Sequence, residues 1–202
     1  MSVSKGDPID DYTLDRLFRD ARTFDEFQDQ VVPRELLQAA YELARMAPTS
    51  ANCQPLRILF LQSTESRKRL APALSSTNRG KTLAAPATAI IAYDLKFPAT
   101  LPHLYRVPGA EKWFSSKELV AETAFRNGSL QGAYFMLAAR AIGLDVGPMS
   151  GFDNAKVDAT FFSSGNQASW RSNFICNLGF GDPAGLLPRD PRPKFLDACA
   201  VL

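Results

Sequence analysis

The chain has 202 residues, 46% hydrophobic and 22% charged, which is typical of a globular protein with one sizeable core. A formal net charge of +2 gives no electrostatic case for binding nucleic acid or an anionic membrane surface. The longest apolar runs are too short to span a bilayer, and the polar, acidic N-terminus is unlike a signal peptide. Three cysteines without metal-like spacing fit a reduced cytoplasm. We therefore expect one cytoplasmic domain over residues 1–202 that binds neither nucleic acid nor a membrane.

The pattern of apolar and polar residues predicts helices mixed with strands. Apolar residues recur at helical spacing in several segments, whereas shorter continuous apolar runs are typical of buried strands. We expect helices over 10–21, from Pro33, over 65–74, 116–142 and 153–162, and strands at 56–61, 87–94 and 172–180. The strands do not alternate regularly with helices, so the pattern favours the α+β class over a doubly wound sheet.

The longest predicted helix has recognisable ends. Ser115 and Glu118 have the spacing of a capping box, and Gly143 is suited to ending the helix. Gly128 and Gly132 weaken the helix, so we expect them to allow another backbone to come close, either in a dimer or in ordinary helix–helix packing. The predicted apolar face comprises Val120, Ala124, Leu130, Ala133, Tyr134, Leu137 and Ala141. Before this helix, residues 95–114 read as a long surface excursion of the kind that forms lids or faces substrates.

The sequence lacks the common protein-borne catalytic groups. The single histidine, His103, has no nucleophile elbow to work with, and no Cys–His set has the spacing of a zinc site, so we expect no metal. The stretch SSTNRGKT ends like a P-loop, but Ser75 occupies the position of the first glycine and no apolar strand precedes it. An enzyme with this composition usually takes its chemistry from a bound cofactor.

Six motifs occur in a fixed order along the chain: ART near the N-terminus, APTSANCQP, NRGK, GLDVGPMSGFDNAKVD, NLGFGDP and a basic tail. In this order they resemble the flavin-dependent nitroreductase family, from about residue 10 to the end. The stretches TLAAPATAIIAYD and FRNGSLQGAYFMLAARAIGLDVGPMSGFDNAKVDATFF are similar to its RutE/HadB-like branch, which contains malonic semialdehyde reductases. One motif alone is a weak signal, whereas six in order are specific.

The resemblance implies a nitroreductase-like α+β fold, with a mostly antiparallel central sheet flanked by helices, and an intertwined homodimer. It also implies an FMN site at each end of the subunit interface, built from both chains. Arg22 and Thr23 match the phosphate-side pattern, and Arg189 and Arg192 match the basic C-terminal positions. A guanidinium binds phosphate through paired, charge-assisted hydrogen bonds. Asp25 stands where many relatives carry a basic residue, and the tail arginines are expected to compensate. Without the resemblance, the tail reads as a solvated segment.

The remaining cofactor contacts are also implied by the resemblance. One polar loop is expected to come from the partner subunit and lie against the flavin, although Ser, Thr and Asn there would equally suit a helix cap and turn. A second group approaches the ring edge, and a third passes near flavin N5. In chain order the three groups are Pro48, Thr49, Ser50 and Asn52; Asn78 and Lys81; and Pro148, Met149, Ser150 and Gly151.

The implied reaction is hydride transfer from NADPH or NADH to flavin N5 and then to an acceptor. The branch suggests a small carbonyl such as malonic semialdehyde, which would give 3-hydroxypropionate. The alternatives are a broad nitroaromatic or quinone reductase and a flavin-binding protein without turnover. No catalytic side chain is assigned with certainty; Ser150, water and a ribityl hydroxyl are the candidate proton donors.

Overall fold

The computed structural model describes residues 6–202. The first five residues of the N-terminal stretch, read above as unlike a signal peptide, lie outside this range. The helices are α1 (Asp11–Leu14), α2 (Arg34–Ala44), α3 (Thr64–Leu70), α4 (Ser76–Ala84), α5 (Leu101–Leu104), α6 (Lys117–Ala141), α7 (Asn154–Phe161) and α8 (Phe195–Ala198). α1 continues directly into a π-helical turn, Asp15–Arg19. None of the described helices is long and apolar enough to cross a membrane.

Four antiparallel strands form one sheet, in the spatial order β1 (Leu56–Leu61), β2 (Ala87–Asp94), β4 (Trp170–Gly179) and β3 (Asp145–Met149). The two central strands are β2 and β4. Nearly every residue of β2 is buried, because helices or loops cover both of its faces. The predicted strands at 56–61 and 87–94 are confirmed, and the third begins two residues earlier than predicted. β3 was not predicted, because glycine and proline interrupt its short apolar pattern.

α6 lies across the sheet and contacts it through its glycines. A Cβ atom on Gly128 would lie 2.9 Å from the Cβ of Tyr93, and one on Gly132 would lie 2.7 Å from Cε1 of Phe174. The two glycines therefore allow α6 to pack against β2 and β4 of the same chain. The expectation that they serve dimer packing is corrected by these contacts.

The buried face of α6 also differs from the prediction. Asn127 and Gln131 are buried, whereas Leu130 and Tyr134 are among the exposed large hydrophobic residues. The apolar spacing was misleading at these positions, because the amides of Asn127 and Gln131 point inward and bond to a neighbouring loop, whereas Leu130 and Tyr134 point away from the core. The N-terminal cap is Ser116, whose Oγ accepts a hydrogen bond from Leu119 N at 3.1 Å. Since the helix begins one residue later than expected, the third helical position is a leucine and the predicted capping box cannot form.

Residues 95–114 run over the surface, as predicted, but they form short helical turns that a few buried side chains anchor to the core. Short helical turns at Phe97–Thr100, α5 and Ala110–Trp113 follow one another. Phe97 and Leu101 are fully buried and pack in one cluster with Cys53 and Ala124 of α6. The phenyl rings of Phe97 and Phe114 meet edge to face with centroids 4.8 Å apart. Apolar side chains hidden among the prolines thus fix this segment to the core.

The glycine contacts predict opposite effects of alanine at two helical positions. Gly132→Ala should lower the free energy of unfolding by about 1–3 kcal/mol, because its new methyl group would overlap the Phe174 ring. Gly80→Ala in α4 is the matched control, since a Cβ there meets nothing within 4 Å. It should raise stability by about 0.5–1 kcal/mol. Urea unfolding of both variants at equal protein concentration measures the difference, and equal effects would contradict the close packing of α6.

Candidate functional site

A cleft of about 540 Å³ opens between the π-helical turn, the segment after it and the C-terminal tail. Its polar wall contains all four residues predicted on the phosphate side, Asp25, which departs from the family pattern there, and Arg140, which was not predicted. These six residues are Arg22, Thr23, Asp25, Arg140, Arg189 and Arg192. The structure therefore brings the N-terminal and C-terminal motifs of the sequence into one site.

Two arginines fasten the tail to the beginning of the chain. Nη2 of Arg189 donates hydrogen bonds to the carbonyl oxygens of Arg19 and Ala21, both at 2.7 Å. In the opposite direction, Nη2 of Arg22 donates to the carbonyl oxygen of Leu187. Arg192 makes only local bonds, to the carbonyl oxygens of Asp190 and Pro191. The tail of this chain thus closes the cleft, and Arg192 remains exposed at its wall.

The cleft carries an excess of positive charge. None of its four arginines forms an ion pair with a carboxylate within the part of the chain that the structure describes. Burial is the main cause that lowers the pKa of Arg140, and the nearby charge of Arg189 acts in the same direction. Because carbonyl oxygens orient the guanidinium groups without neutralising them, the cleft is suited to an anion with several oxygen acceptors.

Asp25 and Asp190 are the acidic residues of the cleft wall, and the carboxylate of Asp25 forms an ion pair with a lysine. Its Oδ1 lies 2.8 Å from Nζ of Lys81, which α4 carries into a neighbouring cleft of about 460 Å³. The Lys81 side chain is 21% exposed and that of Asp25 is 60% exposed, so solvent reaches the pair from the side of Asp25. Asp25 therefore connects the phosphate-side cleft to the residue predicted at the ring edge.

The residues predicted at the ring edge and near N5 also meet. Nδ2 of Asn78 donates to the carbonyl oxygen of Gly151 at 3.0 Å, and Ser75 N donates to the same oxygen. A Cβ on Gly151 would lie 2.7 Å from Nδ2 of Asn78, so only glycine allows this approach. Ser150 is exposed beside this contact. Pro148 and Met149 end β3, and the Met149 side chain is turned into the core, where its sulfur accepts from Thr82.

The polar loop at 48–54 lies elsewhere in the same chain. Ser50 N donates to Oδ1 of Asn127 at 2.8 Å, in the first half of α6, whereas the cationic cleft involves Arg140 near its end. Thirteen helical residues separate these positions, which corresponds to about 20 Å along the axis. One chain therefore does not bring Pro48, Thr49, Ser50 and Asn52 to the cleft. The sequence analysis did not identify Asn127 as a residue that holds this loop. The available signal was two amide side chains, Asn127 and Gln131, four residues apart on one face of a helix.

The two buried cysteines and the histidine give no sign of catalysis. Cys53 and Cys176 are buried, and burial raises the pKa of their thiols to about 11 and about 12. A thiol with such a pKa is protonated at neutral pH and is a poor nucleophile. His103 is exposed. Among residues 6–202, no group of three or more His, Cys, Asp or Glu side chains is placed to hold a metal ion.

Comparisons with known proteins identify the family and the fold. A Stenotrophomonas maltophilia protein, named provisionally as an NADH dehydrogenase/NAD(P)H nitroreductase, is 54% identical over 194 residues, covering 96% of this chain and 97% of that protein. A solved structure of a provisionally named nitroreductase from Exiguobacterium sibiricum, in complex with FMN, has a TM-score of 0.82 at 19% identity. The match covers 97% of this chain and 99% of that chain. A second solved structure, of a provisionally named NAD(P)H:FMN oxidoreductase from Staphylococcus epidermidis, has a TM-score of 0.77 at 21% identity. The match covers 97% of this chain and 98% of that chain.

The structural neighbours confirm the predicted fold, an α+β nitroreductase-like arrangement with an antiparallel four-stranded sheet flanked by helices. The family model described as "Nitroreductase family" matches residues 18–180, which include every strand and all of α6. With that match and a relative of more than half identical sequence over nearly its whole length, the chain belongs to the nitroreductase family.

Proposed function

We propose that this protein is an FMN-dependent NAD(P)H oxidoreductase. The observation that carries the proposal is the cleft in which Arg22, Arg140, Arg189 and Arg192 lie together without carboxylate partners among the described residues. A phosphate monoester offers the charge and the oxygen acceptors that such a cleft requires. The family membership and the relatives' names, which include NAD(P)H nitroreductase and NAD(P)H:FMN oxidoreductase, support the same cofactor pair.

The residues present fit the two ends of FMN. At the phosphate end, Arg192 is exposed and has no acidic partner in residues 6–202, while Thr23 adds a hydroxyl donor. At the ring end, the Asn78–Gly151 contact and Ser150 supply backbone and side-chain polar groups. Lys81, although paired with Asp25, supplies further N–H donors that favour negative charge on the ring. When bound, the flavin supplies hydride transfer between a nicotinamide and an acceptor. The chain's own residues bind the cofactor, orient it and set the charge around it.

A second copy of the chain completes the site in this proposal. The loop at 48–54 and the cationic cleft are about 20 Å apart along α6, so one cofactor does not reach both within a chain. The outer faces of α2 and α6 expose large apolar side chains that the core does not use: Tyr41, Leu43, Met46, Phe125, Leu130 and Tyr134. An exposed apolar surface of this kind is typical of a protein–protein interface. A homodimer would cover it and bring the loop of one copy to the cleft of the other.

The acceptor is the finer part of the proposal. Similarity to the RutE/HadB-like branch suggests a small carbonyl such as malonic semialdehyde, with Ser150 as a nearby hydroxyl for proton delivery. The name NAD(P)H nitroreductase, carried by the S. maltophilia relative, favours nitroaromatic or quinone acceptors instead. Free cysteines at 53, 176 and 199 are consistent with the expected reducing cytoplasm.

An acceptor screen tests the proposed function directly. The purified protein should bind FMN at one per chain, quench its fluorescence and then oxidise NADPH or NADH. Malonic semialdehyde, an unsaturated carbonyl, a quinone and a nitroaromatic compound are compared by kcat/KM. Preference for the aldehyde would support the branch assignment, and preference for the others would support the broad reductase. FMN binding without turnover on any acceptor would indicate a non-catalytic flavoprotein, and absence of FMN binding would contradict the proposal.

Arg192→Ala should weaken FMN binding by roughly tenfold to a hundredfold, because a charge-assisted hydrogen bond of about 1.5–3 kcal/mol is lost. The measurement is a fluorescence titration with FMN. Arg34→Ala is the matched control, since Arg34 is exposed at the start of α2 and lies outside the cleft. Equal FMN affinity of the two variants would show that Arg192 does not bind the phosphate.

The dimer predicts a mass of twice the 22.2 kDa chain in analytical ultracentrifugation. Leu130→Lys should shift the protein toward monomer and weaken FMN binding together, because a lysine in the apolar interface must be desolvated. Ala155→Lys on exposed α7 is the control and should change neither property. A wild-type monomer that binds FMN tightly would show that one chain completes the site alone.

A further inference from the structure

The loop between α2 and β1 has an unusual backbone. Ala51, Asn52 and Gln54 have φ angles of +49°, +48° and +42°, which are the only positive values outside glycine among the described residues. Residues with a side chain rarely adopt this conformation, and a cluster of them persists only where surrounding contacts hold it. Three such residues within four positions therefore require a specific clamp.

Two buried amides of α6 provide that clamp. Oδ1 of Asn127 accepts from Ser50 N at 2.8 Å, and its Nδ2 donates to the carbonyl oxygen of Thr123 at 2.8 Å. One turn later, Oε1 of Gln131 accepts from Leu56 N at 3.1 Å. Both amides are only 2% exposed. They bond to the chain on either side of the residues with positive φ, so α6 fixes both ends of the loop.

Inside the loop, Gln54 connects the remaining polar groups. Its Oε1 accepts from Nε2 of Gln131, and its own Nε2 donates to Oδ1 of Asn52 at 2.9 Å. Gln54 N donates to Oγ1 of Thr49, and Nδ2 of Asn52 donates to the carbonyl oxygen of Leu104. Thr49 and Asn52 are thus used to build the loop. The Ser50 hydroxyl is exposed and has no hydrogen-bond partner within residues 6–202.

We propose that Asn127 and Gln131 are positioning residues for cofactor binding, which hold the loop in its left-handed conformation so that Ser50 is presented to the cofactor of a second copy. The inference rests on the proposed function. It divides the loop into residues that build it, Thr49 and Asn52, and one that contacts the ligand, Ser50. In this proposal Asn127 and Gln131 act through the loop, by bonds to the backbone N–H groups of Ser50 and Leu56 and, for Gln131, to the Gln54 side chain.

Asn127→Leu tests this positioning role. It removes the acceptor for Ser50 N, and we expect roughly tenfold weaker FMN binding in a fluorescence titration. Ser129→Ala is the matched control: Ser129 lies two residues away on α6, and its hydroxyl bonds to Phe125 and Asn173, away from the loop. Melting temperature and sedimentation are measured on all variants. Lower melting temperature with unchanged FMN affinity would reduce Asn127 to a purely structural role and overturn the proposal.

Ser50→Ala measures the presented hydroxyl itself. It should weaken FMN binding in the wild-type background and have little further effect in Asn127→Leu, because the two changes remove one coupled contact. Additive losses, or no loss from Ser50→Ala alone, would overturn the link between the amide and the serine. If wild-type protein binds no FMN, it is the proposed function that fails, and this outcome is recognised before any variant is compared.

Asn127→Asp keeps the proposal testable if the leucine variant does not fold. A protonated carboxyl accepts from Ser50 N and donates to the carbonyl oxygen of Thr123, as the amide does. The ionised form can still accept from Ser50 N, but it has no donor, and its repulsion from the Thr123 oxygen turns the side chain away from the loop. Burial raises the pKa of a carboxyl, so the protonated form extends above its usual pH range. The ratio of variant to wild-type Kd for FMN should be near one at low pH and rise as pH increases. A ratio that is independent of pH would contradict the role of Asn127.

Discussion

The close approach of α6 to the sheet is the constraint on which the other features depend. Gly128 and Gly132 leave no room for a side chain against Tyr93 and Phe174, so the helix backbone lies directly on β2 and β4. At this depth Asn127 and Gln131 reach the loop before β1, and Arg140 reaches the cleft beneath the tail. A helix is rigid over this length. The separation of the loop from the cleft is therefore set by the number of residues between them.

The second constraint is the way in which carbonyl oxygens orient the arginines of the cleft. Arg189 and Arg22 bond to main-chain oxygens of each other's segments, which fixes their positions without cancelling their charge. Asp25 would have reduced the positive charge of this cleft, but its carboxylate is bonded to Lys81. A chain with a formal net charge of only +2 thus concentrates positive charge at one place. Composition alone gave no indication of this, because it averages over the whole surface.

Much of the fold and part of the candidate site could be predicted from sequence. Strands β1 and β2 were predicted because continuous apolar runs between turn residues are a strong local signal. Motif order predicted that Arg22, Thr23, Arg189 and Arg192 lie near one another, and the structure places all four in one cleft; Arg140, which also lines it, was not predicted. The inner face of α6 was missed, since a buried amide is recognisable only when its partner loop is known. The anchoring of residues 95–114 to the core was missed for a similar reason: Phe97 and Leu101 are buried by long-range contacts that prolines in the sequence obscure.

The distance along α6 has a genetic consequence. Under the proposed dimer, each site takes its cleft from one copy and its loop from the other. In a mixed dimer, a copy with a damaged cleft and a copy with a damaged loop would together form one site with both defects and one with neither. Two alleles that are each inactive alone would then restore function to each other. Defects within the same half of the site would show no such complementation, so a cross between alleles would map each residue to its half.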